Sequence, residues 1–108
     1  MCFSAYTKGS TALLCALLAA AQKNGVLDDL KHSWTRSGPS LQDVEREISR
    51  AAPKAWRFVP EMHEIAETLE AVGMPRGFHE AAAELYAALA GFKNSPEPDL
   101  AAVLDRLS

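Results

Sequence analysis

The chain has 108 residues and a net charge of −3, with 48% apolar residues and a sequence pI of about 5.5. This length is typical of one domain, and a charged fraction of 23% is ordinary for a globular protein. Nucleic acids and anionic membrane surfaces both select basic proteins. The acidic balance therefore argues against either of them as the main partner.

The first segment, residues 1–26, is the most apolar part of the chain. It holds no acidic residue and has an unbroken apolar run over residues 12–21. That run is shorter than the roughly 20 residues that span a bilayer, and its flanks do not resemble a signal peptide. We expect a buried helix over about residues 2–23 that needs covering on every side. Because no cap or turn precedes it, we expect a longer polypeptide upstream.

The two cysteines, Cys2 and Cys15, both belong to this first helix. They are thirteen positions apart in the sequence, which on one helix is about 20 Å. A disulfide needs Cα atoms within about 7 Å. We therefore expect two reduced core thiols, which is consistent with a cytoplasmic protein.

Helical spacing continues through the first half of the chain, and no useful stretch alternates with period two. The first helix is expected to end at Asn24-Gly25. A second helix covers about residues 26–36 and ends at the break over residues 37–39. Ser40 is the predicted cap of the third helix, which ends at Ala52-Pro53. The predicted apolar stripes are Val26, Leu30 and Trp34 on the second helix, and Leu41, Val44 and Ile48 on the third.

The second half predicts three further helices. Residues 54–58 are expected to form a turn, with Pro60 at the first position of a fourth helix that reaches about residue 72. The fifth helix carries an apolar stripe of Phe78, Ala82, Leu85, Leu89 and Phe92, and the sixth covers about residues 98–107. The predicted fold is an all-α helical bundle around a long central apolar helix.

No motif in the chain carries a complete active site. There is no glycine-rich nucleotide turn, no P-loop and no paired-cysteine motif. The histidines, His32, His63 and His79, have no second ligand at metal-binding spacing. We therefore expect neither a metal site nor a cofactor site within this chain.

A glycine interrupts the apolar helix at Lys8-Gly9-Ser10-Thr11. Glycine inside a helix is about 1 kcal/mol less favourable than alanine, so something must approach closely there. Tight helix packing with Lys8 reaching solvent is one interpretation. An anionic ligand beside Lys8 is the other.

Four glutamates, Glu61, Glu64, Glu67 and Glu70, share one face of the fourth helix. A solvated acidic face is the simpler interpretation. The functional alternative is that Glu61 or Glu64 reaches across to Lys8, Lys54 or Arg57.

Three stretches together resemble one family: MCFSAYTKGSTALLCALLAAAQKNGV, RFVPEMHEIAETLEAVGMP and FHEAAAELYAAL. Their order and spacing resemble the C-terminal helical domain of the β-hydroxyacid dehydrogenase superfamily. The nearest branch is the phosphogluconate dehydrogenase-like NAD(P)-dependent oxidoreductases, whose C-terminal domain is of unknown function. The resemblance covers nearly the whole chain and implies the fold of the phosphogluconate dehydrogenase C-terminal domain.

The resemblance implies that full-length members bind NAD or NADP in an N-terminal Rossmann domain, which is absent from this chain. The general acid/base lysine of the superfamily would fall just upstream of Met1. No catalytic residue and no cofactor ligand is therefore expected within residues 1–108.

Three residues are expected to bind substrate by the same resemblance: Ser4, Lys8 and Glu61. Ser4 stands where the family has an asparagine, and Glu61-Met62 replaces a lysine-aspartate pair. Lys8 lies on the correct helix to compensate for that inverted charge. Helical spacing places Met1, Ser4 and Lys8 on one face, which we expect to line the cleft between the two domains.

Residues 1–108 are thus expected to form the substrate-binding and dimerisation domain of an NAD(P)-dependent oxidoreductase. Its substrate would be a small hydroxy acid or a related carbonyl compound. Its expected partners are the Rossmann domain of the same polypeptide and a second copy. The alternative is a free-standing helical interaction or dimerisation module without catalysis, and a small metal or thiol enzyme is least favoured. In isolation, the chain should self-associate and bind no NAD(P)H.

Overall fold

The computed structural model describes residues 2–108, and every regular element in that range is helical. The all-α prediction and the long apolar N-terminal helix are confirmed. The six α-helices are α1 (Cys2–Lys23), α2 (Leu27–Arg36), α3 (Leu41–Ala51), α4 (Ala55–Ala71), α5 (Gly77–Ala88) and α6 (Leu100–Arg106). Two 3₁₀ turns, Ala52–Lys54 and Ala90–Phe92, follow α3 and α5.

The end of α1 lies where the sequence predicts it. Gly25 adopts a φ of 72°, which an L side chain rarely takes. The Val26 amide then donates to the Ala21 carbonyl at 2.9 Å, and the Gly25 amide donates to the Gln22 carbonyl at 3.1 Å. This is the paired arrangement that satisfies the last carbonyls of a helix and turns the chain away.

The long helix α1 lies at the centre of the bundle and contacts each of the other five α-helices. Its buried residues are Ala12, Cys15, Leu18, Ala19 and Ala21. The opposite side is open, because Phe3, Leu13 and Leu17 are 80%, 60% and 45% exposed. The expectation that α1 is covered on every side is therefore wrong within this chain.

The length and composition of α1 would also allow it to cross a membrane. That is weak evidence, because core helices of soluble proteins and signal sequences pass the same test.

The start of α3 follows the predicted cap. The Ser40 hydroxyl accepts a hydrogen bond from the Asp43 amide at 3.4 Å. Val44 and Ile48 then face the core, with exposures of 5% and 1%. The second helix is different, because α2 has no fully buried residue and Val26 lies before its first turn, 44% exposed.

The start of α4 departs from the prediction. Residues 54–58 were expected to form a turn before Pro60, but the helix begins at Ala55 and Pro60 lies inside it. A proline there removes one hydrogen bond to the carbonyl four residues earlier. Burial favours helix over this stretch nonetheless, since Ala52 and Ala55 are both 0% exposed and Phe58 packs against the core.

The helices α4 and α5 form the most extensively packed pair, and α6 closes the core beneath α1 and α3. Met62 and Ile65 of α4, Tyr86 of α5, and Val103 of α6 are almost completely buried. The predicted stripe of α5 fails at its first member, because Phe78 is 73% exposed. The helix α5 stops at Ala88, before the last two members of the stripe, but Leu89 is 2% exposed and Phe92 packs against the core from the 3₁₀ turn.

Candidate functional site

Lys8 and Glu61 meet between α1 and α4. The Lys8 Nζ donates to Glu61 Oε1 at 2.6 Å, although 53 residues separate the two in sequence. Their side chains are 28% and 33% exposed, so the pair is partly shielded from solvent. The same Nζ lies 4.5 Å from the centre of the Phe58 ring, within cation–π range. Two independent attractions therefore hold the ammonium in one place.

Ser4 joins the same cluster, one helical turn before Lys8. The pKa of Glu61 is lowered from its ordinary value, chiefly by the hydrogen bond from Lys8, while partial burial acts in the opposite direction. Ser4 lies near enough to the Glu61 carboxylate to lower that pKa slightly further. The structure thus brings together all three residues that the sequence proposed for substrate binding. Met1, which helical spacing assigned to the same face of α1, lies outside the described residues.

Tyr86 fixes this cluster from α5. Its hydroxyl donates to the Lys8 carbonyl at 2.6 Å, and its ring contacts Phe58 edge-on, with centroids 5.3 Å apart. Burial raises the pKa of the Tyr86 hydroxyl far above its usual range, with smaller contributions from Cys15 and Glu61. Tyr86 is therefore a neutral hydrogen-bond donor that positions the backbone of α1.

Phe58 and Tyr86 are the members of the cluster whose roles the sequence analysis missed. A signal was present for Phe58, because it lies three residues before Glu61 and shares a face of α4 with it. The expected turn over residues 54–58 concealed that spacing. No local pattern could indicate that Tyr86 would reach the Lys8 carbonyl from 78 residues away.

A close helix contact explains Gly9. The Nε2 atom of His79 in α5 is 3.0 Å from the Ala5 carbonyl, and it is also 3.0 Å from the position that a Cβ on Gly9 would take. Because a carbonyl oxygen only accepts, Nε2 carries the proton in this contact. The packing interpretation of Gly9 therefore holds here, with a histidine ring as the group that approaches. The other ring atom, His79 Nδ1, is buried and has no hydrogen-bond partner within residues 2–108.

Beside this contact, an apolar groove of about 590 Å³ runs between α1 and α5. Small residues of α1 form its floor, among them Ala5, Gly9 and Ala12. Larger apolar side chains stand at its edges, and several are exposed: Tyr6 at 74%, Leu13 at 60% and Phe78 at 73%. An exposed apolar surface of this kind is typical of an interface rather than of a free monomer surface.

The other chemical candidates are separated from the cluster. Glu64 and Glu67 are exposed, as expected for a solvated face. Glu70 pairs with Arg76 at 2.9 Å, and Arg76 also bonds Glu80, whose pKa it lowers. Among residues 2–108, no group of three or more acidic, histidine or cysteine side chains could hold a metal ion.

The two cysteines are free and differ in environment. Cys15 is 2% exposed, and burial raises the pKa of its thiol to about 11. It is an inert core thiol at neutral pH. Cys2 is exposed, so the expectation of two core thiols is wrong for Cys2.

Comparison with known families gives one match. The model of a domain of unknown function (DUF1932) matches residues 21–89, from the end of α1 to just beyond α5. Nothing among curated proteins or solved structures matches the chain significantly. The match covers well over half of the 108 residues. The chain therefore belongs to the DUF1932 family of domains of unknown function.

Proposed function

We propose that this chain is the substrate-binding and dimerisation domain of an NAD(P)-dependent oxidoreductase of the β-hydroxyacid dehydrogenase type. The substrate would be a small hydroxy acid or a related carbonyl compound. The observation that carries the proposal is the ion pair of Lys8 with Glu61, from two helices that are distant in sequence, with Ser4 one turn before Lys8 on α1. By the resemblance, Ser4 and Glu61 stand at positions where the superfamily contacts substrate, and helical spacing adds Lys8 to the same face of α1 as Ser4.

Each of the three residues has a distinct part in this proposal. The Ser4 hydroxyl can exchange hydrogen bonds with a substrate hydroxyl or carbonyl. The Lys8 ammonium has three donors, and its bond to Glu61 leaves others for a substrate oxygen. Glu61, ionised and bonded to Lys8, is a positioning residue that holds the ammonium against Phe58. The general acid/base lysine would come from the residues before Met1.

The cofactor, NAD or NADP, would be held by a Rossmann domain of the same polypeptide. Within residues 2–108 there is no β-strand from which a glycine-rich turn could lead into a helix, so the Rossmann domain would supply the phosphate-binding turn. A reduced thiol in the core, Cys15, supports a cytoplasmic location for the enzyme.

The exposed apolar surface beside the α1–α5 groove supports the dimerisation role. Phe3, Tyr6 and Phe78 each expose more than 70% of their side chains. Aromatic side chains bury about 150–250 Å² each when fully covered. With Leu13 and Leu17, they offer several hundred Å², a large share of the roughly 800 Å² that a standard interface takes from each partner. The same surface also favours the second candidate, a free-standing interaction module.

Two measurements test the proposal. An immunoblot of the source cells should show a band well above 11.7 kDa, larger by about 150 residues for a Rossmann domain. A band near 11.7 kDa would favour the interaction module instead.

In the complete enzyme, Lys8→Ala should raise KM or lower kcat, about tenfold for one lost charge-assisted hydrogen bond. Lys23→Ala, at the exposed far end of the same helix, is the matched control and should leave both constants unchanged. Equal kinetics for Lys8→Ala and the control would contradict the assignment of the site.

A further inference from the structure

A second, smaller pocket of about 150 Å³ opens where α1 and α3 meet the 3₁₀ turn Ala52–Lys54. Three of its lining side chains are basic: Lys8, Arg50 and Lys54. Only one, Glu47, is acidic. In a chain with a net charge of −3, this pocket therefore carries a local excess of positive charge.

The three cations differ in how far they are already neutralised. Lys8 is paired with Glu61 at 2.6 Å, and Arg50 is paired with Glu47 at 3.0 Å on the open surface of α3. An arginine has five N–H donors, so this single contact leaves most of them available. Lys54 is exposed, and no carboxylate within residues 2–108 lies within 4.0 Å of its ammonium.

The hydroxyls in the pocket are already committed as donors. The Thr7 hydroxyl donates to the Phe3 carbonyl at 3.0 Å, and the Thr11 hydroxyl donates to the Thr7 carbonyl at 2.9 Å. The Tyr86 hydroxyl donates to the Lys8 carbonyl at 2.6 Å. The uncommitted side-chain donors of the lining therefore belong to the cations. A ligand that matches this lining is rich in acceptors and negatively charged.

The size of the pocket is compatible with a small ligand. Its volume of about 150 Å³ exceeds the roughly 10–15 Å³ of accessible space that one water molecule needs. It accommodates a carboxylate or phosphate group with a short carbon chain.

We propose that this pocket binds a small oxyanion, a carboxylate or phosphate group, through Arg50 and Lys54, with Lys8 at its inner wall. The site goes beyond the proposed function, because it belongs to this chain alone and requires neither a nicotinamide cofactor nor a preceding domain. Arginine supplies a planar pair of donors to the oxyanion, and lysine supplies a point charge.

The test is a titration of the ¹⁵N-labelled 108-residue chain with inorganic phosphate and, separately, with malonate, while sodium chloride keeps the ionic strength constant. Saturable amide shifts centred on Thr7, Arg50 and Lys54 are expected. Saturation by phosphate alone identifies a phosphate site, saturation by malonate alone identifies a carboxylate site, and saturation by both identifies a general oxyanion site. Shifts that stay linear with both anions, or that centre elsewhere, would overturn the proposal.

Charge-removing variants give the second arm of the test. Arg50→Gln and Lys54→Gln should each weaken binding about fivefold, while Arg50→Lys should retain part of it because the charge remains. The matched control is Arg46→Gln. Arg46 lies one turn earlier on α3, pairs with Asp43 at 3.1 Å in the same spacing, and does not line the pocket. An equal loss in Arg46→Gln would show only a general charge effect and would refute the site. Failure of the dehydrogenase assay leaves this titration unaffected, so the two proposals can fail separately.

Discussion

The variant Gly9→Ala tests the packing between α1 and α5. Its effect on the free energy of unfolding should depend on whether the His79 ring is present. In an ordinary helix, replacing glycine by alanine stabilises by about 1 kcal/mol. Here a Cβ on residue 9 would lie 3.0 Å from His79 Nε2 and 3.6 Å from its Cδ2. The first separation is too short for an unstrained contact, so the ring would have to move.

A shift of the ring by a few tenths of an ångström would lengthen and weaken the hydrogen bond from His79 Nε2 to the Ala5 carbonyl, now 3.0 Å long. Such a bond contributes about 1 kcal/mol. It is the ring's one hydrogen bond within the described residues, since Nδ1 is buried and unpaired there. We therefore expect Gly9→Ala to be neutral or to destabilise the native chain by about 1 kcal/mol, although alanine has the higher helix propensity.

The assay is thermal or urea unfolding of a double-mutant cycle with His79→Ala. In the His79→Ala background, the new Cβ meets no ring, and Gly9→Ala should stabilise by about 1 kcal/mol, or about 4 °C in Tm. The coupling between the two sites should be about 1–2 kcal/mol. Gly77→Ala is the control, because nothing lies within 4 Å of its Cβ position, and its effect should be equal in both backgrounds. An equal rise in Tm for Gly9→Ala in both backgrounds would refute the reasoning.

The remaining predictions concern the thiols, the ion pair and the exposed apolar surface. Cys2 is exposed and should react with a thiol reagent at neutral pH. Cys15 is buried and its pKa is raised to about 11, so it should react only as fast as the chain unfolds. Equal reaction rates for the two thiols would contradict the burial of Cys15. Because the pKa of Glu61 is lowered from 4.5 in the folded chain, its ion pair should stabilise the fold above about pH 5 and lose that effect as the pH falls through the folded pKa. Glu61→Gln should therefore lower the free energy of unfolding by about 0.5–1 kcal/mol at pH 7, a small value because solvent screens the pair, and by less at pH 3. If urea unfolding gives the same difference between native chain and variant at both pH values, the pair does not stabilise the fold. Leu13→Glu should shift the mass measured by light scattering from dimer towards monomer, and a native chain that stays monomeric at high concentration would remove the proposed interface.

The local features of the fold could be predicted because each depends on neighbours in sequence. The positive-φ stop at Gly25, the Ser40 cap and the core stripe of Val44 and Ile48 are set by residues a few positions apart. The start of α4 could not be predicted in the same way. Pro60 indicates a helix start by local rules, but the burial of Ala52 and Ala55 against other elements overrides that preference.

The exposure of Phe78, Leu13 and Phe3 could not be read from the sequence either. An apolar stripe predicts that a face is covered, but it does not say whether the cover is supplied by the same chain or by another molecule. The structure separates the two cases: Leu18 of α1 is 0% exposed and Leu13 is 60% exposed, although both belong to the same apolar run. The apolar residues on the open side of α1 are thus not covered by the other helices described here.

The pairing of Lys8 with Glu61 has a consequence for the charge that each site can recognise. An ammonium held 2.6 Å from a carboxylate presents a nearly neutral pair, which suits a hydroxyl or carbonyl oxygen better than a full negative charge. Lys54 has no such partner within the described residues, and Arg50 retains free donors, so an anionic group fits the pocket beside them better. Lys8 belongs to the cluster with Ser4 and Glu61 and also lines the pocket of Arg50 and Lys54. Removing the charge of Glu61 would therefore increase the positive charge in that pocket. Glu61→Gln should therefore tighten binding of an oxyanion while it weakens the positioning of Lys8, and weaker oxyanion binding in that variant would separate the pocket from the cluster.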